Sequence, residues 1–208
     1  MNDPLFVSFY TDEGDYEKFA KQLETSLKKF DLRYQIDEIK SQRNWNLNNA
    51  MKANFILKKV LTNRCKVIWL DCDCEIIERP ALFFENWDFT IYRWTKADFK
   101  INPAVNPADI PDDVEMFSGG VMGFNYTAKS LEFLIRWVNA VNYDPKERED
   151  ITLDKIYKKY KNEIKLNCLW LPKSYNRMDK HWPTISPVIN HYWEDGKIFS
   201  SQNQFKVP

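Results

Sequence analysis

Val67-Ile68-Trp69-Leu70 runs directly into two carboxylates, Asp71 and Asp73, with only Cys72 between them. Four apolar residues in a row predict a short strand buried on both faces. Two unpaired anions cannot lie inside such a strand, because desolvating each would cost several kcal/mol. The strand therefore ends where they begin, at the carboxyl edge of a sheet, the edge at which open α/β folds bind ligands. Two hard oxygen donors there suit Mn²⁺ or Mg²⁺, cations that often also hold a substrate phosphate. A pair of solvated turn aspartates would produce the same string, so the motif alone leaves both readings standing.

The chain before this strand alternates between two periods. Leu5–Tyr10 is a short apolar strand, and Tyr16, Phe19, Ala20, Leu23, Leu27 and Phe30 then recur at helical spacing. Leu32–Ile39 reads as a second strand. A second helix follows, with Leu47, Ala50, Leu57 and Leu61 in one stripe beside Ala53, Ile56 and Val60. Strand, helix, strand, helix, strand predicts an α/β fold with helices on the faces of a mostly parallel sheet.

The second half is less regular. Asp88–Trp94 is β-branched and aromatic, as strands are. Thr95–Phe117 is long and carries Pro103, Pro107 and Pro111; loops of this length act as lids or are plain surface excursions. Ser118-Gly119-Gly120 precedes a predicted short strand, Val121–Phe124, and the paired glycines mark either a close approach to a ligand or a tight turn. Leu131, Leu134, Ile135, Val138 and Val141 predict a third helix. Leu153, Ile156, Tyr157 and Tyr160 predict a fourth, with Asp150 placed to cap its N-terminus. Leu166–Leu171 is a further strand, closed by Pro172. No linker or repeat divides the 208 residues, which read as one domain, 1–208.

Thirty basic and thirty acidic residues cancel, so no general electrostatic drive toward nucleic acid or anionic membrane exists. No apolar run nears the ~20 residues of a membrane span, and Met1–Tyr10 lacks the plan of a signal peptide. The four cysteines have no framework spacing. Together these features predict a cytoplasmic protein with reduced thiols.

Several strings occur in an order shared with a known family. Lys52-Ala53-Asn54-Phe55-Ile56 matches a Lys-Pro-x-Phe-Ile string with alanine for proline, and Val67–Asp73 with Pro80 matches its central strand and distal proline. Ser118-Gly119-Gly120 is followed by a helix containing Trp137. Asp150-Ile151-Thr152-Leu153 stands where the family has Asp-Gln before a leucine, so the glutamine is missing. Leu171-Pro172 with Tyr175-Asn176, then Pro187-Val188-Ile189-Asn190-His191, and loosely Gly196-Lys197, complete the series. From about Phe6 to Lys197 the chain resembles the small GT-A-fold glycosyltransferases of the nucleotide-diphospho-sugar transferase type, relatives of the glycogenin-like enzymes.

That resemblance implies a Rossmann-like GT-A domain and transfer of a sugar from a nucleoside-diphosphate-sugar, foremost a UDP-sugar, with retention of configuration. It implies that Asp71, Asp73 and His191 hold Mn²⁺ or Mg²⁺, with Asp71 also reaching the ribose. His191 could instead be structural, beside Tyr192 and Trp193. Lys52 would reach a phosphate, or merely cover its helix with its stem. Ser8, Tyr10 and Thr11 would sit at base and ribose, and Ser118, Gly119, Gly120 and Lys197 would line the rest of the donor site. Asp150 would orient the reacting sugar or acceptor. The acceptor is open among a glycan, a lipid-linked saccharide, a protein and a modified nucleic-acid base. Two other classes fit parts of the pattern. A haloacid-dehalogenase-type phosphatase would use Asp71 as nucleophile and Asp73 as acid/base. A non-catalytic nucleotide-sugar-binding module would account for Ala53 and Ile151.

Overall fold

The computed structural model describes residues 3–99, 115–178 and 182–192. Its centre is a six-stranded sheet in the order β2-β1-β3-β6-β5-β7. The strands are β1 (Leu5–Thr11), β2 (Tyr34–Ile39), β3 (Val67–Leu70), β5 (Phe89–Thr95), β6 (Glu115–Phe124) and β7 (Cys168–Leu171). β1 pairs in parallel with β2 and β3, and β5 with β7, whereas β6 runs antiparallel to both its neighbours. All strands but β6 therefore end at the same edge, and Asp71 and Asp73 lie on it. The expected mostly parallel, mixed sheet flanked by helices is what the chain forms.

Helices α2 (Trp45–Asn63), α4 (Ala128–Tyr143) and α5 (Glu149–Ile164) cover one face of the sheet. Leu5, Val7, Phe9, Val67 and Trp69 point into that core, as period-2 alternation requires. Phe6, Ile68 and Leu70 point the other way, toward α1 (Tyr16–Lys29) and Tyr175, Met178, Trp182 and Ile189. The buried face of α2 is Ala50, Ala53, Ile56 and Val60, whereas Leu61, expected in its stripe, is 48% exposed. Ile135 of α4 is likewise turned outward, while Phe133, Leu134 and Trp137 fill the core.

Element boundaries differ from the sequence reading in instructive ways. β2 begins at Tyr34 and β7 at Cys168, each two residues later than expected. β5 begins at Phe89, one residue later than expected, and Asp88 just ahead of it accepts from Thr127 Oγ1 (2.6 Å) and the Asn167 amide (2.9 Å). Within Thr95–Phe117, Lys96–Phe99 is a helical turn (α3) and Glu115 already opens β6; the rest of the predicted loop, 100–114, lies outside the described residues.

Ser118-Gly119-Gly120 does not precede a strand but lies within β6. Its pairing with β5 jumps from Ile91–Met122 to Arg93–Phe117, so two steps along β5 match five along β6. Ser118–Val121 is thus a wide irregularity in the ladder, of the kind that frees backbone groups and re-aims side chains beside functional sites.

A second, two-stranded antiparallel sheet joins β4 (Cys74–Ile76) to β8 (Ile189–His191), with Cys74 opposite His191. This clasp decides the site, because it ties a residue near the end of the described chain to the turn that follows β3. Among the described residues no helix is long and apolar enough to cross a membrane, and all four cysteines are free.

Candidate functional site

Asp71 leaves the end of β3 with its backbone held by Gly120, whose carbonyl accepts from the Asp71 amide at 2.8 Å. The turn closes when the Cys74 amide donates to the Asp71 carbonyl (2.9 Å), which turns Asp71 and Asp73 toward the same side. Both side chains stay partly accessible, 30% and 20% exposed. His191 arrives on β8, with its amide bonded to the Arg177 carbonyl (2.8 Å). The amide of the next residue, Tyr192, bonds to the Asp73 carbonyl at 2.9 Å. These bonds set the imidazole Nε2 3.3 Å from Asp73 Oδ1 and 3.6 Å from Asp71 Oδ2.

Three donor atoms of the right chemistry thus converge. Neighbouring oxygen or nitrogen ligands around a cation bound at ~2.1 Å in octahedral geometry stand about 3 Å apart, close to the 3.3 and 3.6 Å that separate His191 Nε2 from the two carboxylates. Burial would depress the His191 pKa, but Asp73 and Asp71 outweigh burial and raise it above the ordinary imidazole value. The same two anions that would share a cation with His191 are thus the ones that favour its protonated form. Asp73, Cys74 and His191 place ligand atoms within 4.8 Å of one another, with Asp71 outside that trio but 3.6 Å from His191 Nε2; burial, reinforced by Asp73 and Asp71, pushes the Cys74 thiol pKa well up.

Gly120 is where the imidazole needs room. A Cβ there would lie 2.6 Å from His191 Nδ1, inside van der Waals contact. Gly119, on the opposite face, would bring a Cβ 2.7 Å from Glu149 Oε1. The paired glycines therefore mark a close approach, here to two side chains of the protein itself.

Beneath the carboxylates lies a buried ionic group. Lys52 is on the inner face of α2, with its side chain only 2% exposed. Its ammonium sits 3.0 Å from Asp71 Oδ1 and 2.8 Å from Glu149 Oε1, and donates to the Gly119 carbonyl at 3.1 Å. Burial alone would lower its pKa; the two carboxylates reverse that and hold it firmly charged. Neither the helix-flank position read from sequence nor the phosphate role implied by resemblance anticipates this. A lysine has three N–H donors, so any phosphate contact would require one of these partners to be released.

Asp150 is the second residue of α5, whose N-cap is Arg148, so it does not cap the helix as expected. The helix starts two residues earlier than a cap at Asp150 would place it, and Glu149 and Asp150 instead place negative charge in its positive first turn. Arg148 grips the Asp150 carboxylate with two bonds, 3.1 and 2.5 Å. Burial and the neighbouring Glu149 nevertheless leave the Asp150 pKa above the usual carboxylate value.

The other predicted residues spread out. Ser118 Oγ accepts from Asn176 Nδ2 at 3.0 Å in the buried layer below His191's side of the sheet. Ser8 is fully buried, opposite Ile36 on β2. Tyr10 turns to the α1 side, where its hydroxyl donates to Glu38 at 3.4 Å. Thr11 ends β1 at the ligand edge, one strand away from Asp71. Lys197 lies outside the described residues. Glu149, Arg148 and Trp69, whose indole donates to Asp71 Oδ1 at 2.7 Å, were missed as site residues. Trp69 alone left a sequence signal, two positions before Asp71 on the same strand face.

No protein-family model matches this sequence, and no curated protein matches it. Among solved structures the chain is similar to a glycosyltransferase involved in the glycosylation of the major capsid of PBCV-1. The TM-score is 0.68 at 11% identity, over 95% of this chain and 96% of that one. At that identity the likeness is one of fold: this chain has the Rossmann-like architecture of a glycosyltransferase.

Proposed function

We propose that the chain is a metal-dependent glycosyltransferase that moves a sugar from a nucleoside-diphosphate-sugar, a UDP-sugar in this reading, to an acceptor with retention of configuration. One observation carries the proposal: Asp71, Asp73 and His191 converge at the ligand edge of a glycosyltransferase-like sheet. Bound there, Mn²⁺ or Mg²⁺ would act as Lewis acid toward the pyrophosphate that must leave. Asp71 and Asp73 supply hard oxygens, and His191 a nitrogen brought in by the β4–β8 clasp. Ser118–Gly120 would shape the floor, and Thr11, at the end of β1, would border the nucleoside end, with Ser8 buried behind it and Tyr10 turned toward Glu38. Asp150, fixed by Arg148 at the mouth of α5, orients the reacting sugar or acceptor rather than forming a covalent bond to it. The acceptor, whether glycan, lipid-linked saccharide, protein or modified base, is chosen by groups beyond this cluster.

The test is a screen of nucleotide-sugars with Mn²⁺, read by hydrolysis and by thermal stabilisation, repeated with Asp73→Asn and His191→Ala. Cation-dependent nucleoside-diphosphate binding should vanish in Asp73→Asn while the fold persists. In His191→Ala, half-saturation by Mn²⁺ should rise by one to two powers of ten, about what loss of a direct ligand costs. Wild-type binding that chelator leaves unchanged would end the metal-dependent reading.

A further inference from the structure

The two oxygens of Asp71 have different surroundings. Oδ1 accepts from the Trp69 indole at 2.7 Å and is ion-paired with Lys52 at 3.0 Å. Oδ2 is turned toward His191 Nε2, 3.6 Å away. Trp69 also offers its ring face to the Lys52 ammonium, 5.1 Å from the centroid. Lys52 is anchored in turn by Glu149 on α5 and by the Gly119 carbonyl that the irregularity in β6 leaves out of the ladder.

We infer that Lys52 and Trp69 are positioning residues for the cation: together they saturate Asp71 Oδ1, fix the carboxylate's rotation, and leave Oδ2 as its one free donor. The inference rests on the reading of Asp71, Asp73 and His191 as a cation site, and goes beyond it by assigning a role to two groups that touch neither cation nor substrate. A carboxylate free to rotate presents either oxygen and loses side-chain entropy when a cation fixes it. One held by two donors on the same oxygen has already lost it. Groups that orient a metal ligand from behind alter affinity by ten- to a hundredfold. Lys52 is suited to this because its charge is buried and matched: the ammonium lies between Asp71 and Glu149, so the burial penalty is offset on both sides. The same arrangement makes Lys52 a brace between α2, β3, β6 and α5 rather than a phosphate hand.

The test uses Mn²⁺ alone, titrated into the whole chain and followed by the electron paramagnetic resonance signal of the free ion. Trp69→Phe removes the indole donor and keeps an aromatic ring against Phe9 and Phe55. Lys52→Met combined with Glu149→Gln removes the buried charge together with its buried partner, leaving only the partly exposed Asp71 without it. Leu27→Ala, in the core on the other side of the sheet, serves as a control for general loosening. Trp69→Phe should weaken Mn²⁺ binding about tenfold and the double variant ten- to a hundredfold, whereas Leu27→Ala should lower Tm and leave Mn²⁺ affinity within about twofold. Wild-type affinity in both site variants would overturn the inference and leave the cation site intact, as would an equal loss in Leu27→Ala. If wild type itself binds no Mn²⁺, the cation reading falls and takes this one with it. A final arm measures nucleoside-diphosphate binding in chelator. A loss there confined to the Lys52 variant would make Lys52 a phosphate ligand and overturn its positioning role.

Discussion

Gly120 carries no side chain because an imidazole occupies the space that one would need. The His191 backbone is clamped by bonds on both flanks, so Gly120→Ala must rotate the ring away or displace the strand. We expect Gly120→Ala to cost about 1–3 kcal/mol, the usual range for overpacking a filled site, and to abolish Mn²⁺ binding before it unfolds the protein. Gly119→Ala makes a useful contrast. Its Cβ would meet the far end of Glu149, a buried side chain paired with Lys52, so its cost should fall on that pair and Mn²⁺ binding should suffer less than in Gly120→Ala. Urea titrations of the two variants, set beside their Mn²⁺ affinities, check the order. Equal behaviour would mean that the two faces of the strand are not functionally distinct.

At the scale of elements, the helices are held in place by local chemistry that the sequence displays. Asn44 caps α2 by accepting from the Leu47 amide, and Thr127 caps α4 by accepting from the Ser130 amide. The second cap carries more, because Thr127 Oγ1 also donates to Asp88, which in turn holds the Asn167 amide ahead of β7. Thr127→Ala should therefore cost about 2 kcal/mol, the upper part of the range for caps, against ~1 kcal/mol for Asn44→Ala. Thermal or denaturant unfolding would decide, and identical losses would show that the Asp88 link adds nothing. The irregularity in β6 shows the converse, local disorder of pairing used to build a site. The Gly119 carbonyl leaves the β5 ladder and is taken up by Lys52, while the Gly120 carbonyl continues the β3 side onto the Asp71 amide, so what the ladder loses helps to orient the carboxylate edge.

Across the whole molecule, distant segments are pinned by a few buried ion pairs. Asp98, on α3, accepts from the Thr95 amide and hydroxyl and pairs with Lys173 just after β7, 2.5 Å away. Burial would raise its pKa, but Lys173 and the Thr95 bonds prevail and hold it below the usual carboxylate value. A depressed carboxylate stabilises the fold above its unfolded pKa of about 3.9, and that stability is lost as pH falls through the lower folded value. Asp98→Asn should thus be less stable than wild type by about 1–3 kcal/mol at pH 7, and the gap should close progressively below about pH 4. A constant gap down to pH 3 would refute the charge-based account. The sequence alone sufficed for the alternation of strands and helices and for the end of β3 at Asp71, because periodicity and desolvation act within a few residues of one another. It did not contain the seating of Lys52 on Glu149, the matching of Gly120 to His191, or the removal of Asp150 from the cap position to a clasp with Arg148. Those depend on which side chain crosses the sheet from 67, 71 or 97 residues away, or on where a helix starts against its neighbours. Such pairings are settled by packing and by the neutralisation of buried charge, which only the assembled tertiary structure brings together.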